Sequence, residues 1–158
     1  MALHLIKLCV GVSEVSELRQ WVRDARKGPD SLDHTTRMFP TRGDEILNGG
    51  SLYWVIRGMI LCRQPIAAFE KVVGDDGIER CRIVFKAKIV PVRPVPRRAF
   101  QGWRYLEAAD APTDLAKVLD SVETISREVI DDFCEQGEVD LVQALAQPFP
   151  LLVICDMM

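Results

Sequence analysis

The period of apolar and polar positions changes several times along the chain, and each change marks an element. His4 to Val12 is almost continuously apolar, which predicts a buried β-strand. Val15, Leu18, Val22 and Ala25 then recur at helical spacing, so residues 14–27 are predicted as an amphipathic helix. Ser13 is placed to cap it, because its hydroxyl can accept from the free amides of the first turn. Gly28-Pro29 ends it. His34 to Phe39 reads as a short strand, Pro40 to Gly43 as a turn, Asp44 to Leu47 as a helical turn and Asn48-Gly49-Gly50 as a loop. Ser51 to Leu61, rich in aromatic and branched residues, predicts one central strand with a bulge at Gly58.

Pro65 to Val73, Gly74-Asp75-Asp76-Gly77 and Ile78 to Val90 together predict a hairpin with a four-residue loop. Its second strand alternates. Cys81, Ile83, Phe85, Ala87 and Ile89 point one way, and Arg80, Arg82, Lys86 and Lys88 the other. Closing the loop at Gly74 and Gly77 pairs Val73 with Ile78, which sets Glu70 opposite Cys81 on the apolar face. Pro91, Pro94 and Pro96 keep the next segment out of a sheet interior. Phe100 to Leu106 is a last strand or a lid. Val122, Ile125, Val129, Ile130 and Phe133 mark one face of a helix that Gly137 ends. Leu141 to Ala146 reads as one more short helix and Phe149 to Cys155 as a buried strand.

Composition narrows this picture. A chain of 158 residues suits a single domain, here a β-rich core over about 1–106 and an acidic helical segment over about 107–158. The net charge of −3 hides an asymmetry: residues 1–106 hold 18 basic and 11 acidic side chains, residues 107–158 hold 2 and 12. That split favours one basic and one acidic surface, which in the blander case simply attract each other. Five scattered cysteines without a CxxC pair, and only two histidines, argue against a disulfide framework or a zinc site and for a reducing compartment. No segment reaches the roughly 20 apolar residues of a membrane span, and the apolar N-terminus reads as a strand rather than a signal peptide. The expectation is a cytoplasmic protein with no membrane partner, no metal and no cofactor. P-loop, dinucleotide, GxSxG and HExxH signatures are missing.

Three features carry candidate chemistry. Between Arg80 and Arg104 stand eight basic residues and no acidic one, Lys86, Lys88 and Arg104 among them, with Phe100, Trp103 and Tyr105 interleaved. Cations hold phosphates and aromatic faces stack on bases, so this is the composition of a single-stranded RNA or nucleotide site. The competing interpretation is a solvated face that protects a strand edge. The second feature is Glu70, whose inward register makes it a candidate general base with a perturbed carboxyl, unless it lies near the strand end or a bulge turns it outward. The third is the segment Thr35 to Gln64, where Arg37, Arg42, Arg57 and Arg63 recur among Tyr53, Trp54 and Gln64. Such arginines either pair with Asp44, Glu45 or Glu70 or grip an anion in two-pronged fashion. Cys62 beside Arg63 is placed to favour a thiolate, but no histidine lies near it in sequence.

MALHLIKLCVGV at the start, the block from Arg37 onward containing GSLYWVIRG and CRQPI, and FQGWRYL near residue 100 resemble a family of short alphaproteobacterial proteins of unknown function. TRGDEILNGGSLYWVIRG followed by PIAAFEKV is also similar to the ASCH and PUA-like barrels, in which a glycine-aspartate turn precedes two strands. That resemblance implies an α+β fold, either a small PUA-like β-barrel or a strongly curved mixed sheet with flanking helices, that binds RNA or a modified base. Some ASCH-like proteins are amidohydrolases using a lysine, a threonine and a glutamate. Glu70 would stand for the glutamate and Thr36 or Thr41 for the threonine. The lysine has no counterpart, since arginines occupy its stretch, so the resemblance supports binding more than catalysis. The leading expectation is therefore an RNA- or nucleotide-binding module with a basic, aromatic-flanked cleft. The alternatives are a small hydrolase using Glu70 and a non-catalytic homodimer.

Overall fold

The computed structural model describes residues 2–25 and 32–134, together with 150 and 153. The chain divides into two units, residues 1–112 and 113–158. The second contains one long helix, α3 (Leu115–Cys134). Within it the Arg127 guanidinium pairs with Glu123, and the Thr124 and Ser126 hydroxyls return to the carbonyls one turn back. The predicted helix 141–146 lies outside the described residues. Of the predicted strand 149–155, Pro150 and Val153 are described, and both are helical.

The first unit is a seven-stranded mixed sheet with two helices, α1 (Val15–Ala25) and α2 (Gly43–Leu47). β1 (His4–Leu8) runs parallel to β3 (Ser51–Ile56) and antiparallel to β7 (Trp103–Leu106). β4 (Met59–Val73) is antiparallel to β3, β5 (Glu79–Phe85) and β6 (Val90–Pro96), while β2 (Asp33–Thr36) pairs with β5. The hydrogen-bonded path β2-β5-β4-β3-β1-β7 has two free ends, so the described pairings leave the sheet open and do not close it into a barrel. The fold is mixed α+β.

β4 turns the sheet. Its first residues pair with β3 on one side and β6 on the other, and from Ile66 onward it pairs with β5. Register shifts at Trp54/Val55, Ile60/Cys62 and Ile66/Ala68 accompany this change of partner, and bulges of this kind bend and twist a strand. β6, with its three prolines, pairs among the described residues with β4 alone and so sits at an edge. β3 is buried at all six positions. Alternate side chains divide between two cores: Leu52, Trp54 and Ile56 join Leu5, Leu18, Ile46, Cys81, Ile83 and Phe85, while Tyr53 and Val55 join Ile6, Ile60, Val92 and Leu106. Each fully buried aliphatic residue contributes roughly 1.5–3 kcal/mol.

Two expectations are corrected. Residues 51–61 form not one bulged strand but two strands joined by the two-residue turn Arg57-Gly58, with φ of 49° and 78°. Both central residues of such a turn need positive φ, which matches the twist of the flanking strands. The β4–β5 hairpin is also offset by one residue. Val73 pairs with Glu79, so Glu70 stands opposite Arg82 and Lys71 opposite Cys81. A one-residue slip moves a side chain to the other face of the sheet, and Glu70 is thereby taken off the Cys81 face. At the start of α1 the Ser13 backbone amide donates to Glu17 Oε2 at 2.7 Å.

Candidate functional site

β1 is a largely apolar strand with one lysine, HLIKL, and its alternation puts Lys7 on the side of Leu5, toward the core that holds Trp54 and Phe85. Past its end, the chain passes through Cys9 and Val12 into α1. Beneath this passage lies a cavity of about 280 Å³ walled by Leu8, Cys9, Val12, Leu18, Trp21, Trp54 and Phe85, with Lys7 and His34 at its polar side. His34 stands edge-to-face on the Trp54 indole at 6.1 Å between centroids, and Trp54 leans on Phe85 at the same separation. Trp21 is half exposed and borders the opening.

Burial, and then the charge of Lys7, hold the His34 imidazole below the usual histidine pKa, with Asp33 opposing. His34 is therefore neutral at pH 7 and offers one ring donor and one ring acceptor. Burial pushes the Cys9 thiol up to about 11, against the weaker pull of Lys7, and the Cys62 thiol up to about 12. Both stay protonated and are poor nucleophiles. At Cys62 burial thus keeps the thiol protonated although Arg63 is its neighbour in sequence. Neighbouring strand residues point to opposite faces, so Arg63 turns away from the Cys62 side and donates to Ser51 Oγ at 2.9 Å.

Lys7 and His34 also line a second, polar cavity of about 610 Å³. Thr35, Thr36, Arg37 and Met38 form its other wall on the β2 side, and Gln101, Gly102 and Trp103 on the β7 side. The two cavities therefore meet at the Lys7–His34 pair. All three tryptophans of the chain, Trp21, Trp54 and Trp103, border them.

The structure brings together three of the residues expected at the site, Arg37, Trp54 and Trp103, and disperses the rest. Arg42 is bonded to Glu45 and Glu107. Tyr53 faces the other core and meets His4 edge-on at 5.2 Å. Arg57 is in the tight turn. Gln64 is fully buried, accepting from Trp54 Nε1 at 3.3 Å and donating to the Lys86 carbonyl at 3.4 Å, which is a structural task. Arg104 lies over the Phe100 ring at 5.1 Å. The expected cationic strand face is neutralised in part: Arg80 is paired with Asp76, and Arg82 donates to Glu70 at 2.9 Å. Lys86 and Lys88 are exposed beyond the end of β5. None of the eight basic residues from Arg80 to Arg104 lines either cavity. Glu70, half-buried and bonded to Arg82, lines neither.

Lys7, His34, Trp21 and Gln101 were not singled out by their pattern. The available signals were a lysine inside an otherwise apolar strand and the small number of tryptophans. Among the described residues no group of three or more His, Cys, Asp and Glu side chains is placed to hold a metal ion, and no helix is long and apolar enough to cross a membrane. A family model described as "Protein of unknown function (DUF1489)" matches residues 5–137. No curated protein and no solved structure matches the chain.

Proposed function

We propose, for a chain that belongs to the DUF1489 family of proteins of unknown function, that the joined cavities bind a nucleotide or the terminal nucleotide of an RNA. The observation behind this is that Lys7 and His34 line both an aromatic, apolar cavity and a polar one. A planar base suits the first, against Trp54 and Phe85, where stacking contributes about 1–3 kcal/mol per base. A phosphate suits the second, where Lys7 supplies a point charge and Arg37 a planar fork. The cavity volumes, about 280 and 610 Å³, fall at the size of one small ligand rather than a polymer groove. The same reading takes the open sheet as an incompletely closed relative of the PUA-like barrels and the setting as cytoplasmic. The hydrolase alternative has no observation of its own, since Glu70 is engaged by Arg82 outside both cavities.

Intrinsic fluorescence tests the proposal directly, because every tryptophan borders the site. Titration with AMP, GMP, CMP, UMP and short RNAs is expected to change the emission with saturation. Affinity is expected to fall modestly with salt, as one or two phosphate contacts require. Unchanged emission up to millimolar concentration of all four monophosphates and of the RNAs overturns the reading.

A further inference from the structure

β2 and β7 are the two free ends of the sheet's hydrogen-bonded path, and both line the polar cavity. The cavity is therefore the seam of the sheet, a gap between two strand edges rather than a dent in one surface. Adjacent sheet strands are spaced by backbone hydrogen bonds, but no described pairing joins β2 to β7, so their separation has to be set by something else.

Side chains cross the seam just beyond the cavity. Tyr105 Oη, from β7, lies 3.1 Å from Thr41 Oγ1 and accepts the Arg42 backbone N–H at 3.2 Å, both in the segment that follows β2. The Arg42 guanidinium sits over the Tyr105 ring at 5.6 Å and donates to Glu107 Oε1 at 2.9 Å, directly after β7. Arg42 and Glu107 are well exposed, so water screens their pair within this clasp. Tyr105 in turn meets Trp103, on the cavity wall, edge-to-face at 5.3 Å.

We propose that Tyr105 is a positioning residue that sets the width of the seam, so that Arg37 on the β2 side and Gln101 on the β7 side meet the same phosphate. This rests on the nucleotide reading above. A ligand end that touches one edge alone gains one set of contacts. Two edges held at a fixed separation gain both without a further ordering cost.

The test compares the unaltered protein with Tyr105→Phe, which keeps the ring and deletes the hydroxyl. Glu107→Gln is the milder companion should Tyr105→Phe fold poorly. Two readouts are taken. In hydrogen exchange, the amides of 33–38 and 101–106 are expected to exchange faster in Tyr105→Phe, with those of β3 and β4 unchanged. In fluorescence titration, adenosine is expected to bind equally to both proteins, while AMP is expected to lose roughly tenfold in affinity. A general loss of packing would weaken the nucleoside as well, so the phosphate-specific loss marks positioning. Unchanged exchange at both edges overturns the clasp. Faster exchange with an undiminished AMP-to-adenosine ratio overturns its positioning role. An unaltered protein that binds neither adenosine nor AMP removes the nucleotide reading and with it the positioning role, while exchange still decides the clasp.

Discussion

Gln64→Leu is the sharpest test of how the aromatic wall is held. Gln64 is completely buried, and its carbonyl oxygen accepts the Trp54 indole N–H in a core where Trp54 is 5% exposed. Leucine has similar bulk, so it leaves little cavity. What it removes is the acceptor for the indole and the donor to the Lys86 carbonyl. The Lys86 carbonyl still accepts from the Lys88 amide at 2.8 Å; the indole N–H has no such recourse. An orphaned buried donor costs about 1–3 kcal/mol. The bond is long at 3.3 Å, which places the expected loss near the middle, about 2 kcal/mol. Urea unfolding followed by far-ultraviolet circular dichroism gives that figure. The mechanism is isolated by repeating Gln64→Leu in a Trp54→Phe background, where no indole N–H remains to be orphaned. The loss there is expected to shrink to about 0.5 kcal/mol, a coupling well beyond what independent sites show. An equal loss in both backgrounds refutes the argument.

Other consequences are shorter to state. Gly50→Ala is expected to cost at least about 3 kcal/mol in urea unfolding, because a β-carbon there would meet the Leu3 and Ile46 carbonyl oxygens at 2.3 and 2.4 Å, both rigid backbone; a loss below 1 kcal/mol counts against the close approach. Arg57→Asn is expected to raise stability by about 0.5–1 kcal/mol, since Asn tolerates the left-handed φ of 49° better than Arg; a lower urea midpoint contradicts the turn. His4 and His34 both have pKa values lowered first by burial, so below the ordinary value near 6.5 the unfolded chain binds more protons than the folded one. Stability is therefore expected to fall as pH drops from about 6.5 toward the lower folded-state values. The double variant His4→Gln/His34→Gln should flatten urea midpoints across that window, and an unflattened profile rejects the assignment. With thiols held near 11 and 12, Cys9 and Cys62 are expected to alkylate with iodoacetamide at pH 8 at least tenfold more slowly in the native protein than in urea; equal rates reject burial as the cause.

Much of the local structure is legible in the residue pattern because local periodicity decides it. Leu18 and Val22 are buried on α1 as their spacing demands, and Cys81, Ile83 and Phe85 alternate inward along β5. The misreadings occur where one residue of register matters. Arg57 is not a residue that advertises a two-residue turn, since bulky side chains disfavour positive φ, so the apolar stretch around it looks continuous. At the β4–β5 tip the glycines suggest a four-residue loop. The chain instead bonds Gly74 N to the Ile78 carbonyl and Ile78 N to the Asp76 carboxylate, which places the first strand pair at Val73 and Glu79. That single step carries Glu70 from the Cys81 side to Arg82 and removes the apparent buried carboxylate.

The site is less legible than the fold for a different reason. A run of cations is conspicuous in a sequence, yet Arg80 and Arg82 are matched by Asp76 and Glu70, acids that lie 4 and 12 positions away along the hairpin. The charges that remain to define the site are single: Lys7 in β1 and Arg37 at the end of β2, separated by 29 intervening residues and brought to one cavity because the sheet order places their strands near its opposite ends. Trp103 arrives from the free edge of β7 and Trp21 from α1. No spacing rule links four residues drawn from four elements. What links them is a seam that no described pairing crosses, and an unpaired strand edge is a feature that folds usually cover or blunt. Here Tyr105 ties one end of that seam across to Thr41 and Arg42, while its other end stays open between Arg37 and Trp103. The proposed ligand site rests on the seam left open by the sheet's topology, more than on the overall abundance of arginine.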